Sequence, residues 1–251
     1  MALSTALRLQ SPARLVAFDH RAWRRGAPEE ASTIELLAPR DRVSVDVGAN
    51  AGAVSLLLAR LSPRVISFEP LQRFSYLQHG LPSNCSVRRL ALSSAPGSAE
   101  IRVPVRDGFV PAQLATIEPA NTLSGSKFIV ETVRLTTLDL ELTGEDVGFI
   151  KIDVEGHELD VLLGAEETVA RCRPRFLVEC EERHSPGAVD RLAAWVARHE
   201  YQAFFLWKGE LRPLDEFKSH LHQRHSNIQL QGRVGPYANS FVLLPSPAHE
   251  V

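Results

Sequence analysis

Short apolar segments alternate with amphipathic segments from about residue 42 onward. Amphipathic stretches such as Phe74, Leu77 and Leu81 repeat their apolar positions every three or four residues, which is typical of helices. The alternation of the two patterns predicts an α/β fold with a mostly parallel sheet covered by helices on both faces. The predicted strands lie at about residues 43–47, 65–68, 87–92, 149–154, 176–179, 201–207 and 240–244. The last two should pair antiparallel at one edge of the sheet.

The chain divides into a leader and one larger domain. Residues 1–40 read as an N-terminal helical leader, and residues 41–251 read as the domain. Arginines in the leader resemble those of an organelle transit peptide, but an amphipathic helix packed on the domain is the favoured interpretation. Within the domain, residues 93–133 form a predicted insert of extended segments. Residues 208–237 form a candidate lid over the substrate.

Composition and charge bear on the partners of the protein and on its location. The 251 residues carry a formal net charge of −2, which does not favour a long nucleic acid as partner. No apolar run is long enough to predict a membrane span. Cys85, Cys172 and Cys180 match neither a zinc site nor a disulfide framework, and reduced thiols favour a cytoplasmic location.

The turn after the first predicted strand points to a nucleotide-like cofactor. Gly48 and Gly52 bracket a tight turn, and the second strand ends at Glu69, whose carboxylate can accept both hydroxyls of a ribose. The glycine spacing lacks the third glycine of a dinucleotide fingerprint. Asp46 would repel a pyrophosphate but attract an ammonium group. These features favour S-adenosylmethionine over a nicotinamide cofactor.

Ordered motifs along the chain resemble the FkbM family of methyltransferases. They include 45–52, 68–70, 81–84, 91–93, 137–139, 150–158, 163–165 and 239–245. The resemblance implies a Rossmann-like class I methyltransferase fold with a seven-stranded, mostly parallel sheet and an antiparallel edge strand. It also implies S-adenosylmethionine as methyl donor and O-methylation of a sugar, lipid or polyketide-like molecule. Ser94 departs from the family, which often has an acid there, and the first forty residues match no family motif.

The resemblance also assigns cofactor contacts by position. Glu69 would hold the ribose, and Ala91 would lie against the adenine. The methionine half would contact the first loop, through Asp46, Gly48, Asn50 and Gly52.

The end of the fourth long strand carries the candidate catalytic residues Asp153, Glu155 and His157. Asp153 is expected to contact cofactor or substrate, and His157 is the favoured general base, because an imidazole titrates near neutral pH. Glu155 would orient that imidazole or bind a substrate hydroxyl. The competing interpretation is a simple loop and helix entry.

The next strand ends at Glu179, and His184 follows; both are expected to bind substrate. A cation between Asp153 and Glu179 is an alternative, but no metal is predicted. His220, His222 and His225 are expected to lie on a solvated loop.

Two other functions remain open at this level. One is a nicotinamide-dependent oxidoreductase, and the other is a non-catalytic module that binds S-adenosylmethionine. The expected partner is a small-molecule or glycan acceptor of unspecified identity, and the sequence leaves the oligomeric state open.

Overall fold

The computed structural model describes residues 11–105, 115–117, 127–229 and 232–247. Its helices are α1 Pro12–Gly26, α2 Pro28–Leu37, α3 Ala53–Leu61, α4 Leu77–Gly80, α5 Leu138–Glu141, α6 Glu158–Leu163, α7 Glu166–Cys172, α8 Ala188–Arg198 and α9 Ser219–His222. Its strands are β1 Val43–Val47, β2 Val65–Phe68, β3 Cys85–Arg88, β4 Ala91–Leu92, β5 Gly97–Val105, β6 Lys127–Thr136, β7 Val147–Ile152, β8 Arg175–Glu179, β9 Tyr201–Trp207, β10 Glu210–Pro213, β11 Ile228–Gln229, β12 Gly232–Arg233 and β13 Ser240–Pro245.

The main sheet has the order β10-β9-β13-β8-β7-β1-β2-β3 in the described part of the chain. Strands β3, β2, β1, β7 and β8 are parallel, and β13 pairs antiparallel with both β8 and β9. Every residue of β1 and β7 is buried, as expected for central strands covered on both faces. The Rossmann-like class I methyltransferase fold predicted from the sequence is confirmed.

Two details of the predicted sheet are wrong. The described sheet has eight strands rather than seven, and the antiparallel β13 lies between β8 and β9 rather than at the edge. The extra strand is β10, which follows a hairpin turn in which Lys208 and Gly209 both have positive φ. Because β10 is short and exposed, it lacks the apolar alternation that identifies a strand in a sequence.

The N-terminal helices pack closely on the domain. Val16 of α1 is fully buried and lies where a Cβ on Gly52 or Gly80 would contact it. His20 of α1 has its Nδ1 atom 2.8 Å from the carbonyl oxygen of Ala53 at the start of α3. Ile34 of α2 belongs to one buried cluster with Val65 of β2, Phe149 of β7 and Leu177 of β8, so residues 12–37 form part of the helical layer on that face of the sheet. None of the described helices is long and apolar enough to cross a membrane.

The predicted insert forms a small second sheet with the order β4-β6-β5. Strands β5 and β6 pair antiparallel along their length, and Thr116 forms an isolated bridge to Arg102 of β5. Residues 106–114 and 118–126 of the insert lie outside the described residues. The insert therefore places 115–117 beside the carboxyl ends of the main strands.

The candidate lid is partly anchored to the sheet. Gln223 donates from Nε2 to the carbonyl oxygens of Cys180 and Ala238, at 2.7 and 2.8 Å. His220 and His225 are exposed, as expected, but the expectation of solvent exposure is wrong for His222. That ring is buried because it packs among the aromatic rings of Phe205, Trp207 and Phe217.

Candidate active site

A cavity of about 280 Å³ opens at the carboxyl ends of β1, β2, β7 and β8. Apolar residues from several elements cover part of its wall, among them Phe68, Leu90, Leu92, Ile101 and Ile117. Eight of the residues predicted from the sequence also line it: Gly48, Asn50, Glu69, Ala91, Asp153, Glu155, His157 and Glu179. Asp46, Gly52 and His184 are the predicted residues that do not.

The two glycines of the first turn serve different contacts. Gly48 has φ +80°, and a Cβ there would lie 1.9 Å from the carbonyl oxygen of Asp153. Only glycine therefore lets the loop after β1 meet the loop after β7 this closely. Gly52, with φ +79°, faces α4, where a Cβ would lie 2.7 Å from Leu77 Cδ2. Gly52 closes the turn against the helical layer and does not reach the cavity wall.

Glu69 is a buried carboxylate fixed by backbone donors. Its side chain accepts from the backbone N–H of Asn50 at 2.8 Å and of Leu71 at 3.0 Å. Burial raises the pKa of Glu69 to about 7, although these two hydrogen bonds oppose the shift. The residue is only 6% exposed yet lines the cavity, so its carboxylate is positioned before any ligand arrives.

Asp46 lies beneath the cavity rather than in its wall. Its Oδ2 accepts from Ser55 Oγ at 2.6 Å, and Ser55 Oγ is 2.8 Å from Ser67 Oγ on β2. Burial raises the pKa of Asp46, while Lys151 and Ser55 oppose the increase. The structure thus brings Asp46 into the sheet against α3, and direct contact with a cofactor stays a prediction.

Asp153 follows β7 and is held by a lysine of the same strand. Lys151 Nζ donates to Asp153 Oδ2 at 2.9 Å, and the backbone N–H of Asp153 donates to the carbonyl oxygen of Val47 at 3.1 Å. The Asp153 side chain is 29% exposed and lines the cavity. Because hydrogen bonds hold both the backbone and the side chain of Asp153, its carboxylate can face a ligand in a defined orientation.

Glu155 occupies a strained loop in the cavity wall. Its φ is +56°, an uncommon value for a residue with a side chain, and Thr116 Oγ1 donates to its carbonyl oxygen at 2.8 Å. Burial, followed by the charges of Asp153 and Glu181, raises the pKa of Glu155 well above its usual value. Its Oε2 lies 3.2 Å from His184 Nδ1. The structure thus brings His184, which is outside the cavity wall, directly against a residue that lines it.

Behind the loop, Glu158 acts as an internal clamp. Its Oε1 accepts from the backbone N–H groups of Val154 at 3.2 Å and Gly156 at 2.9 Å. Burial raises the pKa of Glu158 to about 7. The conformation that presents Glu155 to the cavity is therefore supported from within the loop.

Glu179, at the end of β8, belongs to a buried polar network that sequence reasoning missed. Asn239 Nδ2 donates to Glu179 Oε1 and, at 3.3 Å, to Glu181 Oε1. Glu181 also accepts from Arg183 and, at 2.8 Å, from the hydroxyl of Tyr237. Burial and the nearby charges of Asp153 and Glu181 raise the pKa of Glu179 well above its usual value.

The pKa of Glu181 shifts in the opposite direction to that of Glu179. Burial alone would raise the pKa of Glu181, but the hydrogen bond and the charge of Arg183 lower it overall. Asn239 opens the last family motif, which was a signal for its importance. Nothing in the sequence marked Tyr237, because its partner Glu181 is far away along the chain. Nothing marked Arg183 either, because an arginine close to a glutamate is common.

His157 stands at the N-terminus of α6 with both ring nitrogens near polar partners. Its Nε2 is 3.0 Å from Ser93 Oγ, and its Nδ1 is 3.5 Å from Asp160 Oδ2. The ring lines the cavity, but these neighbours compete with a substrate for it. His157 is therefore placed at the site without being freely available as a base.

Within the described ranges, no group of three or more histidine, cysteine or acidic side chains is arranged to hold a metal ion. The alternative of a cation between Asp153 and Glu179 gains no third ligand there.

Comparisons with known proteins agree with this geometry. The sequence model of the Methyltransferase FkbM domain matches residues 46–203. The strand order from β3 to β9 with antiparallel β13, together with a cavity at the parallel strand ends, is that of the Rossmann-like class I methyltransferase fold. The chain belongs to the FkbM methyltransferase family. A search of curated proteins gives no match to the chain.

Three solved structures of low sequence identity match most of this chain. The methyltransferase FkbM of Methylobacillus flagellatus KT is 15% identical with a TM-score of 0.47, and the match covers 81% of this chain but only 43% of that protein. The precorrin-6Y C5,15-methyltransferase of Geobacter metallireducens GS-15 is 12% identical with a TM-score of 0.41, over 86% and 84% of the two chains. TrmK of M. capricolum, solved with S-adenosyl-homocysteine, is 7% identical with a TM-score of 0.42, over 86% and 67%.

Proposed function

We propose that this protein transfers a methyl group from S-adenosylmethionine to a hydroxyl oxygen of a sugar, lipid or polyketide-like small molecule. The observation that carries the proposal is the cavity, which joins a preset carboxylate, Glu69, to the acids Asp153, Glu155 and Glu179. Membership of the FkbM family supports the reaction class. The identity of the atom that accepts the methyl group is the part that experiment must decide.

The described residues fit S-adenosylmethionine. Glu69 offers a buried carboxylate to the ribose hydroxyls, and Leu90, Ala91 and Ile101 offer apolar surface to the adenine. The described residues that line the cavity include the acids Glu69, Asp153, Glu155 and Glu179 and no lysine or arginine, which suits the positive sulfonium and ammonium groups, although the Asp153 carboxylate also pairs with Lys151 outside the lining. When bound, the cofactor supplies a methyl group whose bond to sulfur breaks as the bond to the acceptor oxygen forms.

The chain itself must hold the acceptor and receive its proton. We assign the proton to Glu155, because burial and neighbouring charges raise its pKa and thus make its carboxylate a stronger base. Glu179 and Asp153 would hold the acceptor hydroxyl in line with the methyl group, and such alignment is itself a large source of acceleration. His157, the base favoured from sequence, already contacts Ser93 and is the alternative proton acceptor.

The same wall constrains the acceptor. A phosphate or carboxylate would find no lysine or arginine among the described residues of the wall, whereas hydroxyl groups could hydrogen-bond to Asp153, Glu155 and Glu179. This supports an uncharged small-molecule or glycan acceptor over a long nucleic acid. The free cysteines Cys85, Cys172 and Cys180 support the proposal of a cytoplasmic location.

The test is methyl transfer from S-adenosylmethionine carrying a tritiated methyl group to a panel of polyols, glycosides and hydroxylated lipids. Product mass spectrometry should locate the added methyl on oxygen, and Glu155→Gln should reduce transfer strongly. Amine and nucleic-acid acceptors belong in the same panel. Transfer to nitrogen alone would contradict the O-methylation part. A nicotinamide-dependent oxidation of the same acceptors would contradict the reaction class.

A further inference from the structure

Lys151 is a buried cation at the centre of the sheet. It lies on β7, is 4% exposed, and is the most buried lysine in the described ranges, where Lys127, Lys208 and Lys218 are exposed. A lysine in such a place is expensive unless its charge is matched. A buried lysine at this position therefore needs partners that compensate its charge.

Two carboxylates match that charge. Lys151 and Asp153 are two residues apart, and Lys151 Nζ donates to Asp153 Oδ2 at 2.9 Å. Asp46 on β1 is paired in register with Lys151 across the parallel ladder. Burial lowers the pKa of Lys151, but Asp153, Asp46 and Glu30 together raise it well above its usual value. The ammonium group is thus charged throughout the ordinary pH range.

We propose that Lys151 is a positioning residue, which fixes the Asp153 carboxylate at the cavity wall and couples it to the buried Asp46. This inference rests on the proposed function, in which Asp153 faces the cofactor and the acceptor. It gives Asp46 a role compatible with its place beneath the cavity: Asp46 supports the lysine that supports Asp153.

The surroundings of Asp153 explain why it needs this cation. Asp46, Glu155, Glu158 and Glu179 all act electrostatically with Asp153, and each carries a raised pKa to which Asp153 contributes. His184 also interacts with Asp153, but burial lowers the pKa of His184 to about 4 and keeps the ring neutral. Lys151 is therefore the cation that can offset these carboxylates at Asp153, because its ammonium donates to Asp153 Oδ2 at 2.9 Å.

The test compares Lys151→Met, Asp153→Asn and the double variant, with Lys218→Met as an exposed control. S-adenosylmethionine binding is measured by calorimetry. Lys151→Met should weaken binding by about tenfold or more, as expected for loss of a charged hydrogen bond. Lys151→Arg, which keeps a cation at this position of β7, should recover part of that affinity. In the Asp153→Asn background, Lys151→Met should add little.

Folding needs a separate readout, since Lys151→Met alone leaves Asp46 buried without its cation. The variant Asp46→Asn with Lys151→Met removes both buried charges together and should fold while still binding the cofactor weakly. A urea-unfolding cycle on Lys151 and Asp153 should show coupling of about tenfold in the unfolding equilibrium constant.

The outcomes separate the two claims. Wild-type affinity in Lys151→Met, with no coupling in the cycle, would overturn the role of Lys151 and leave the methyltransferase proposal intact. A wild-type protein that binds no S-adenosylmethionine, but shows the coupling in urea, would overturn the proposed function and keep the Lys151–Asp153 pairing.

Discussion

The two halves of the cavity wall hold their carboxylates in different ways. At the ends of β1 and β2, Glu69 is fixed by backbone N–H groups, at 2.8 and 3.0 Å. At the ends of β7 and β8, Glu155 and Glu179 lie among other acidic side chains, and burial followed by these neighbouring charges raises their pKa values. The first half is a rigid cradle made by the main chain, whereas the second is a crowded set of titratable groups.

This difference matches a division of labour. A cradle of backbone donors suits recognition of an unchanging cofactor, because its geometry is set by the turn itself. A cluster of side chains with raised pKa values suits proton transfer, because a carboxylate with a raised pKa is a stronger base. The account therefore predicts that changes in the first half alter cofactor affinity and changes in the second alter turnover.

The largest expected effect lies where the two halves touch. Gly48→Ala should lower the free energy of unfolding by about 4 kcal/mol or more, because the new Cβ would overlap the Asp153 carbonyl oxygen and must also adopt a positive φ. Gly144→Ala is a matched control: Gly144 has φ +79° and open space around it, so it should lose only about 1–2 kcal/mol. Equal losses in urea unfolding would show that the contact is not tight.

Glu155→Gln tests the reactive half. Turnover should fall about 100-fold, the lower range for a general base, while the affinity for S-adenosylmethionine should change little. Stability should hold or rise, because burial and the charge of Asp153 oppose ionisation of Glu155. Steady-state kinetics and urea unfolding measure both, with the exposed Glu100→Gln as control. Full turnover in the variant would indicate that His157, and not Glu155, receives the proton.

The pH dependence of stability distinguishes a buried neutral histidine from its acidic neighbours. Burial lowers the pKa of His184 to about 4, below its value in the unfolded chain, so its contribution is present above about pH 6.5 and is lost as pH falls. From pH 7 to pH 5, the loss from His184 should be about 2 kcal/mol.

His184→Gln should flatten that acid-side loss in urea unfolding, whereas the exposed His225→Gln should not. Glu69 and Glu158 act in the opposite sense, since their raised pKa values stabilise the folded state below about pH 4.5 and lose that effect as pH rises toward 7. An unchanged slope in His184→Gln would mean that the ring titrates normally.

The smallest expected effect concerns the support of His157. Ser93→Ala removes the hydroxyl 3.0 Å from His157 Nε2 and should cost less than about 1.5 kcal/mol of stability, as for one neutral hydrogen bond. If Glu155 receives the proton, turnover should change by about threefold or less. The exposed Ser98→Ala is the control. A much larger loss of turnover would indicate that His157 and Ser93 work together in catalysis.

How far the sequence predicted this site follows from the physics of each signal. The carboxyl ends of parallel strands lie at the same edge of a sheet. The alternation of strands and helices was therefore enough to place Glu69, Asp153 and Glu179 at that edge. The side-chain direction of Asp46 could not be predicted. The position of a buried carboxylate in a strand does not reveal whether its partner is a neighbouring side chain, here Ser55, or a ligand. Tyr237 reaches Glu181 across 56 residues, and no local pattern encodes such a contact.

The same reasoning explains the errors in the fold. Strand β10 is polar and exposed, so hydrophobic periodicity does not detect it. His222 belongs to a polar segment by composition, but the aromatic side chains of β9 and Phe217 form a pocket for its ring. Local patterns predicted the elements, and contacts between distant elements decided the burial.

The most direct test of the central claim is a calorimetric titration of the protein with S-adenosylmethionine, S-adenosylhomocysteine and NAD, alongside Glu69→Gln and Glu100→Gln. The account predicts that the first two bind and NAD does not, and that Glu69→Gln alone weakens binding by about tenfold or more, as for a lost charged hydrogen bond. Binding of NAD in preference to S-adenosylmethionine, or equal affinity in Glu69→Gln and the wild type, would contradict it.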